Sequence, residues 1–144
     1  MKKKVIYILF TLIIFNPSLY AATKMNPVVS AFIEDLAAQE KKTDPKFTWF
    51  SAEKGEELYR LERIHSKKGK KRSCVTCHKE NPRSASRHAV SGKPLKALAP
   101  SVNRKRFTKK SKIKKWFRRN CKWVFERECT NREKGDFLTW IYTI

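Results

Sequence analysis

Acidic residues are scarce in this chain. Asp and Glu number 13 against 34 Lys and Arg, for a formal net charge of +21 over 144 residues. Charge of one sign on this scale steers encounters toward acidic proteins or anionic membrane faces. Long apolar runs are also missing. After residues 5–15 no segment approaches the roughly 20 apolar residues that a membrane-spanning helix needs. No internal repeat, long linker or alternating strand pattern is visible, which leaves a helical chain of one domain. Methionine occurs only at Met1 and Met25, so none is available later in the chain.

The N-terminus has its own organisation. Lys2, Lys3 and Lys4 precede the apolar run 5–15. Asn16, Pro17 and Ser18 break it, and Ala21 and Ala22 follow. These are the charged, apolar and small-residue regions of a secretory signal peptide, expected over residues 1–22. Residues 23–144 then form a single exported domain in the periplasm, an oxidising compartment where cysteines pair or carry cofactors. An uncleaved N-terminal anchor is the alternative.

The chemistry centres on Cys74-Val75-Thr76-Cys77-His78. Two thiols at C-x-x-C spacing can form thioethers to the two vinyl groups of haem, and the adjacent imidazole can then ligate the iron. Cys74 and Cys77 are thus the expected covalent attachments of one haem c, and His78 the proximal ligand. A redox dithiol would want a βαβ setting, which is not visible. A zinc site would want a second close ligand pair, and Cys121 and Cys129 are too far apart for a knuckle. In an oxidising compartment these two most simply pair with each other.

Helix signals surround the motif. Asn26 caps a first helix with Pro27 at its first position, and Val29, Phe32, Ile33 and Leu36 share its inner face. Ser51 caps a second helix through about Ile64, with Leu58, Tyr59 and Leu61 inward and Gly55 permitting a close crossing. Residues 67–72 form a dense basic loop before the haem motif, expected to be mobile and able to serve as a docking patch. Ser111 caps a third helix through about Asn120, and Thr130 with Glu133 makes a capping box for the last. Phe137, Leu138, Trp140 and Ile141 form that helix's buried side. The fold expected is all-α, about four or five helices around one covalent haem, with first and last helices crossing as in class I cytochromes c, by analogy of fold.

Without a methionine, the second axial position has other candidates: His65, His88, a lysine, Asn120 or none. Ile113, Trp116, Phe117 and Asn120 fall on one helical stripe, with Lys112, Lys114, Lys115, Arg118 and Arg119 opposite. Asn120 is either a group aimed at the haem or a helix C-cap. His88 sits in a Ser/Arg-rich loop and is expected to face solvent. His65 ends the second helix with no evident partner.

Residues 74–142 resemble the family of small cytochromes typified by sphaeroides haem protein and cytochrome c″. The resemblance rests on CVTCH, on GKPLKALAPSVNRKRFT at 92–108, on RRNC at 118–121, and on C-x7-C followed by T-x2-EKGDFLTW. It covers about half the chain, and the part before the haem motif matches only loosely. In that family the residue before the first disulfide cysteine is the sixth ligand, Asn in one type and His in the other. The resemblance therefore implies His78/Asn120 axial ligation, a Cys121–Cys129 disulfide beside the ligand, and detachment of Asn120 on reduction so that O2, NO or CO can bind.

The expected function is an exported monohaem cytochrome that binds a small gas and exchanges electrons with another cytochrome. The alternative is a plain electron carrier with permanently six-coordinate haem. The expected partner is an acidic redox protein, multihaem or membrane-bound, with attraction to anionic membrane also possible on charge. Nucleic acid is not expected of an exported haem protein. No catalytic residues are expected, because no acid–base group or second redox centre accompanies the distal position.

Overall fold

The computed structural model describes residues 23–144; the expected signal peptide at 1–22 lies outside the described residues. Among the described residues five α-helices carry the fold, joined by two minimal antiparallel hairpins: α1 (Pro27–Thr43), α2 (Ala52–Arg60), α3 (Val75–His78), α4 (Lys110–Phe125) and α5 (Asn131–Ile141). In the first hairpin β1 (Arg63–Ile64) pairs with β2 (Lys71–Arg72), and in the second β3 (Ser86–Arg87) pairs with β4 (Pro94–Leu95). No described helix is long and apolar enough to cross a membrane.

The helix starts follow their caps. The Asn26 side chain accepts from the Val28 and Val29 amides at 3.0 and 3.2 Å, leaving Pro27 where a missing N–H costs nothing. Its amide nitrogen donates to the Tyr142 hydroxyl at 2.8 Å, so the start of α1 is tied to the end of α5. The Thr23 amide donates to the Tyr142 carbonyl, and Met25 packs against the core, so this segment is held to the fold. Ser51 caps α2 by accepting from Lys54, and Thr130 and Glu133 complete their reciprocal capping box.

The apolar stripes meet in one core. Val29, Phe32, Ile33 and Leu36 of α1 and Phe137, Leu138, Trp140 and Ile141 of α5 are all buried in it. The tightest crossing joins α2 to α5. A Cβ at Gly55 would overlap the Asp136 carbonyl oxygen and come within 2.7 Å of the Trp140 Cβ, so only glycine admits this approach. The buried Asp136 carboxylate accepts the Ser51 amide at 2.8 Å and welds the α2 cap to α5. The α1–α5 packing expected from the sequence is present, but α5 packs more extensively against α2 than against α1.

Several expectations differ in the structure. Helix α2 stops at Arg60, so Leu61 is exposed and His65 stands on the first hairpin. Helix α4 starts with Lys109 as its cap residue and Ser111 inside it. It also runs past Asn120 to Phe125, because Phe117, Cys121 and Val124 continue its inward stripe. The true terminus is Glu126 in the left-handed conformation, so Asn120 is not a C-cap. Residues 67–72, expected as a mobile loop, form the turn and second strand of a hairpin with Gly69 at φ 60°.

Candidate haem site

The single turn of α3 is fixed at both ends. Before it, the Ser73 amide donates to the Thr76 hydroxyl at 2.9 Å, and the Thr76 amide donates back to the Ser73 hydroxyl at 3.2 Å. After it, the buried Tyr59 hydroxyl donates to the Lys79 carbonyl at 2.6 Å, where the chain leaves through φ 61°. Burial pushes the Tyr59 phenol well above its ordinary range, so it stays a neutral donor. Cys74, Cys77 and His78 are thereby delivered together to one cavity of about 310 Å³.

That cavity has the character a porphyrin requires. Its walls are mainly apolar, with Leu98, Phe107, Ile113, Phe117 and Phe137 among them. Helix α4 contributes Trp116, Asn120 and Trp123 to the same space. The His78 Nδ1 is buried without a hydrogen-bond partner, an orphaned polar atom of a kind that native structures rarely leave. Burial lowers the His78 pKa to about 4, reinforced by the nearby Arg106 and His88, so the imidazole is neutral and keeps a lone pair for a metal. Two thiols at the attachment spacing, an unpartnered neutral imidazole and an apolar chamber fit a haem c.

The rival uses of the motif do not fit. A redox dithiol needs a thiol with lowered pKa. Burial, with Cys77 beside it, pushes the Cys74 thiol up to about 12. Among the described residues no group of three or more His, Cys, Asp or Glu side chains could hold a separate metal ion.

The candidates for the second axial position separate cleanly. Asn120 and His88 line the cavity; His65, Met25 and every lysine are absent from its lining. His65 instead faces Glu126 at 3.7 Å, while its Nδ1 accepts from the Lys67 amide. His88 is half-buried rather than solvent-facing, at the turn between β3 and β4. Its Nδ1 accepts from the Val90 and Ser91 amides, and the neighbouring Ala89 amide approaches the Cys77 sulfur at 3.4 Å. One residue past Asn120, the sulfurs of Cys121 and Cys129 lie 1.95 Å apart, with Cα atoms 5.6 Å apart.

Several site residues are not legible in the sequence: Trp123 lines the cavity, and so does Arg119, which the helical stripe places on the opposite, charged face. Arg106 lines the cavity with Nε and Nη2 donated to the Ala97 and Lys96 carbonyls at 3.0 and 2.7 Å, and burial lowers its pKa. In a basic run it is indistinguishable from Arg104 and Lys105 until the fold turns it inward. The Tyr59 ring lies in the core, as its place on the inner face of α2 predicts; nothing local reveals that its hydroxyl reaches twenty residues along the chain.

A C-x-x-C-H turn opening into an apolar chamber within a helical fold defines a c-type cytochrome. A family described as a domain of unknown function (DUF1924) matches residues 45–141. Cytochrome c″ of Methylophilus methylotrophus is 36% identical over 75 residues, 52% of each chain. The cytochrome c-type protein SHP of Cereibacter sphaeroides is 42% identical over 69 residues, 48% of this chain and 53% of that one. This chain thus spans about half the length of the curated relatives it matches.

Solved structures extend the likeness. Oxidized cytochrome c″ superimposes with a TM-score of 0.72 at 25% identity, covering 79% of this chain and 92% of that one. Oxidized SHP, described as an oxygen-binding cytochrome c, gives 0.65 at 32% identity, covering 78% and 96%. The chain belongs to the DUF1924 family and, with these relatives, to the cytochrome c″/SHP family of c-type haem proteins, with haem c as cofactor.

Proposed function

We propose that this chain is an exported, periplasmic monohaem cytochrome in which Cys74 and Cys77 hold haem c, His78 and Asn120 are the axial groups, and Asn120 gives way on reduction to admit O2, NO or CO. Haem held by Cys74, Cys77 and His78 would supply a one-electron couple and a position for a further ligand. The observation that carries the reading is that Asn120 lines the same cavity as His78 while the only described methionine does not. The oxygen-binding character of SHP supports it.

The chain's residues divide the work. The turn locked by Ser73, Thr76 and Tyr59 holds His78 in place, and burial keeps its imidazole neutral. Asn120 offers a neutral carboxamide, a weak donor to a metal, so its hold depends on where α4 puts it. A neutral carboxamide at this position would be a weaker ligand to reduced than to oxidised iron. Once released, the amide can donate a hydrogen bond within the cavity. Cys121, as a disulfide partner of Cys129, ties α4 to the residue just ahead of the Thr130 cap and limits how far this stretch moves.

A second reading has one observation behind it: His88 also lines the cavity, so it could serve as a permanent second ligand in a plain electron carrier. Absorption spectra of the ferric protein decide between them. Asn120→Ala should become high-spin while His88→Ala stays low-spin; the reverse pattern assigns the position to His88.

A further inference from the structure

The basic segment ahead of the haem motif is built as a platform. Its hairpin is fastened to the C-terminal end of α4 by several side-chain contacts. The Ser66 amide and hydroxyl donate to the two Glu126 carboxylate oxygens at 2.8 and 2.6 Å, and His65 faces the same carboxylate. The Arg72 guanidinium donates to the Trp123 carbonyl at 3.0 Å and lies 4.7 Å from the centre of the Trp123 ring. A charge run that served only to hydrate a loop would need no such anchoring.

What the platform presents is equally specific. Lys67, Lys68 and Lys70 are exposed and have no carboxylate partner among the described residues. On the same hairpin Ile64 is 69% exposed and the adjoining Leu61 39%. Aliphatic side chains within a charged rim have the anatomy of a protein–protein contact. Membrane-surface segments rely on aromatic anchors, and this hairpin carries none. Trp123 joins the platform to the site, since it underlies Arg72 on one side and lines the haem cavity on the other.

We propose that the 61–72 hairpin is the docking surface for an acidic one-electron donor protein, which it seats against the Trp123 wall of the haem cavity. The step is a single electron transfer: the partner is oxidised by one electron, the haem is reduced by one, and no bond forms or breaks. It rests on the reading of the chain as a redox cytochrome, but the surface can be tested without that chemistry.

The probe is short poly-L-glutamate titrated calorimetrically into the haem-loaded protein at low and high salt. Wild type should bind it, with affinity falling steeply as salt rises. The triple change Lys67→Glu, Lys68→Glu, Lys70→Glu should weaken binding by about tenfold or more. The equally charged control Lys41→Glu, Lys42→Glu, Lys46→Glu, around the end of α1, should weaken it by no more than about twofold. Equal losses in the two variants overturn the proposal. So does hairpin-dependent binding to phosphatidylglycerol vesicles without binding to poly-L-glutamate, which would make this a membrane-facing surface. Should the triple variant not fold, amide shifts in the wild type decide: peptide-induced shifts concentrated in 61–72 support the site, and shifts elsewhere overturn it. A reduced protein that ignores CO yet keeps this binding pattern would lose the gas-binding reading and keep the docking surface.

Discussion

The Tyr59 hydroxyl donates to the Lys79 carbonyl at 2.6 Å, one residue beyond His78. This contact joins the middle of the core to the end of the haem-attachment turn, where the backbone takes a left-handed φ. Tyr59→Phe leaves that carbonyl without its partner, at a cost of about 1–3 kcal/mol. It should lower the melting temperature and broaden the haem absorption of the ferric protein as His78 loses its fixed position. Tyr59 acts through the backbone, so a melting shift with an unaltered haem spectrum would confine its role to stability.

The α2–α5 crossing gives a second test. Gly55→Ala places a methyl against the Asp136 carbonyl oxygen and the Trp140 Cβ. Backbone cannot yield as a flexible side chain can, so the loss should be about 1–3 kcal/mol or more. Denaturant midpoints of the two proteins check this. The Gly55 variant should also disturb the Ser51–Asp136 hydrogen bond that sits on the same crossing.

Acid stability follows from Glu133. Its carboxylate is held below the ordinary 4.5 first by the Arg127 guanidinium, at 2.6 Å, with help from the Thr130 amide and hydroxyl. A depressed folded-state pKa stabilises the fold above the unfolded value, and the contribution is lost as pH falls through the folded one. Melting temperatures taken from neutral pH downward should drop below about pH 4.5. Glu133→Gln should start lower and show a flatter acid limb. Parallel curves would mean that Glu133 is not among the groups that set acid stability.

The Cys121–Cys129 pair closes a short loop. Removing it by the double change to alanine should cost roughly 2.5 kcal/mol by the loop-length relation. A second consequence is specific to the site. With α4 no longer tethered beside Asn120, the reduced protein should bind CO faster than wild type. Unchanged CO kinetics in a destabilised variant would separate the tether from the distal position.

How much of this was legible in the sequence depended on distance along the chain. Asn26 with Pro27, Ser51, and Thr130 with Glu133 mark helix starts through contacts three residues long or shorter, and each forms as read. Gly55 was readable because a glycine one turn before a buried tyrosine has few other uses. The end of α4 was not. Asn120 has the character of a terminator, but the burial of Cys121 and Val124 carries the helix onward. The 61–72 hairpin was invisible for the same reason, since its paired strands are too short to show a period. Its order comes from Ser66–Glu126 and Arg72–Trp123, which link residues more than fifty positions apart. At the haem site the attachment turn could be read directly, whereas Arg106 and the inward turn of His88 depend on the fold.

The central claim is that the second axial position opens on reduction, and one measurement addresses it directly. The absorption spectrum of the dithionite-reduced protein is recorded before and after addition of CO. This account predicts a high-spin ferrous spectrum that converts on CO addition to a sharp low-spin one. A ferrous spectrum already low-spin and unchanged by CO would contradict it.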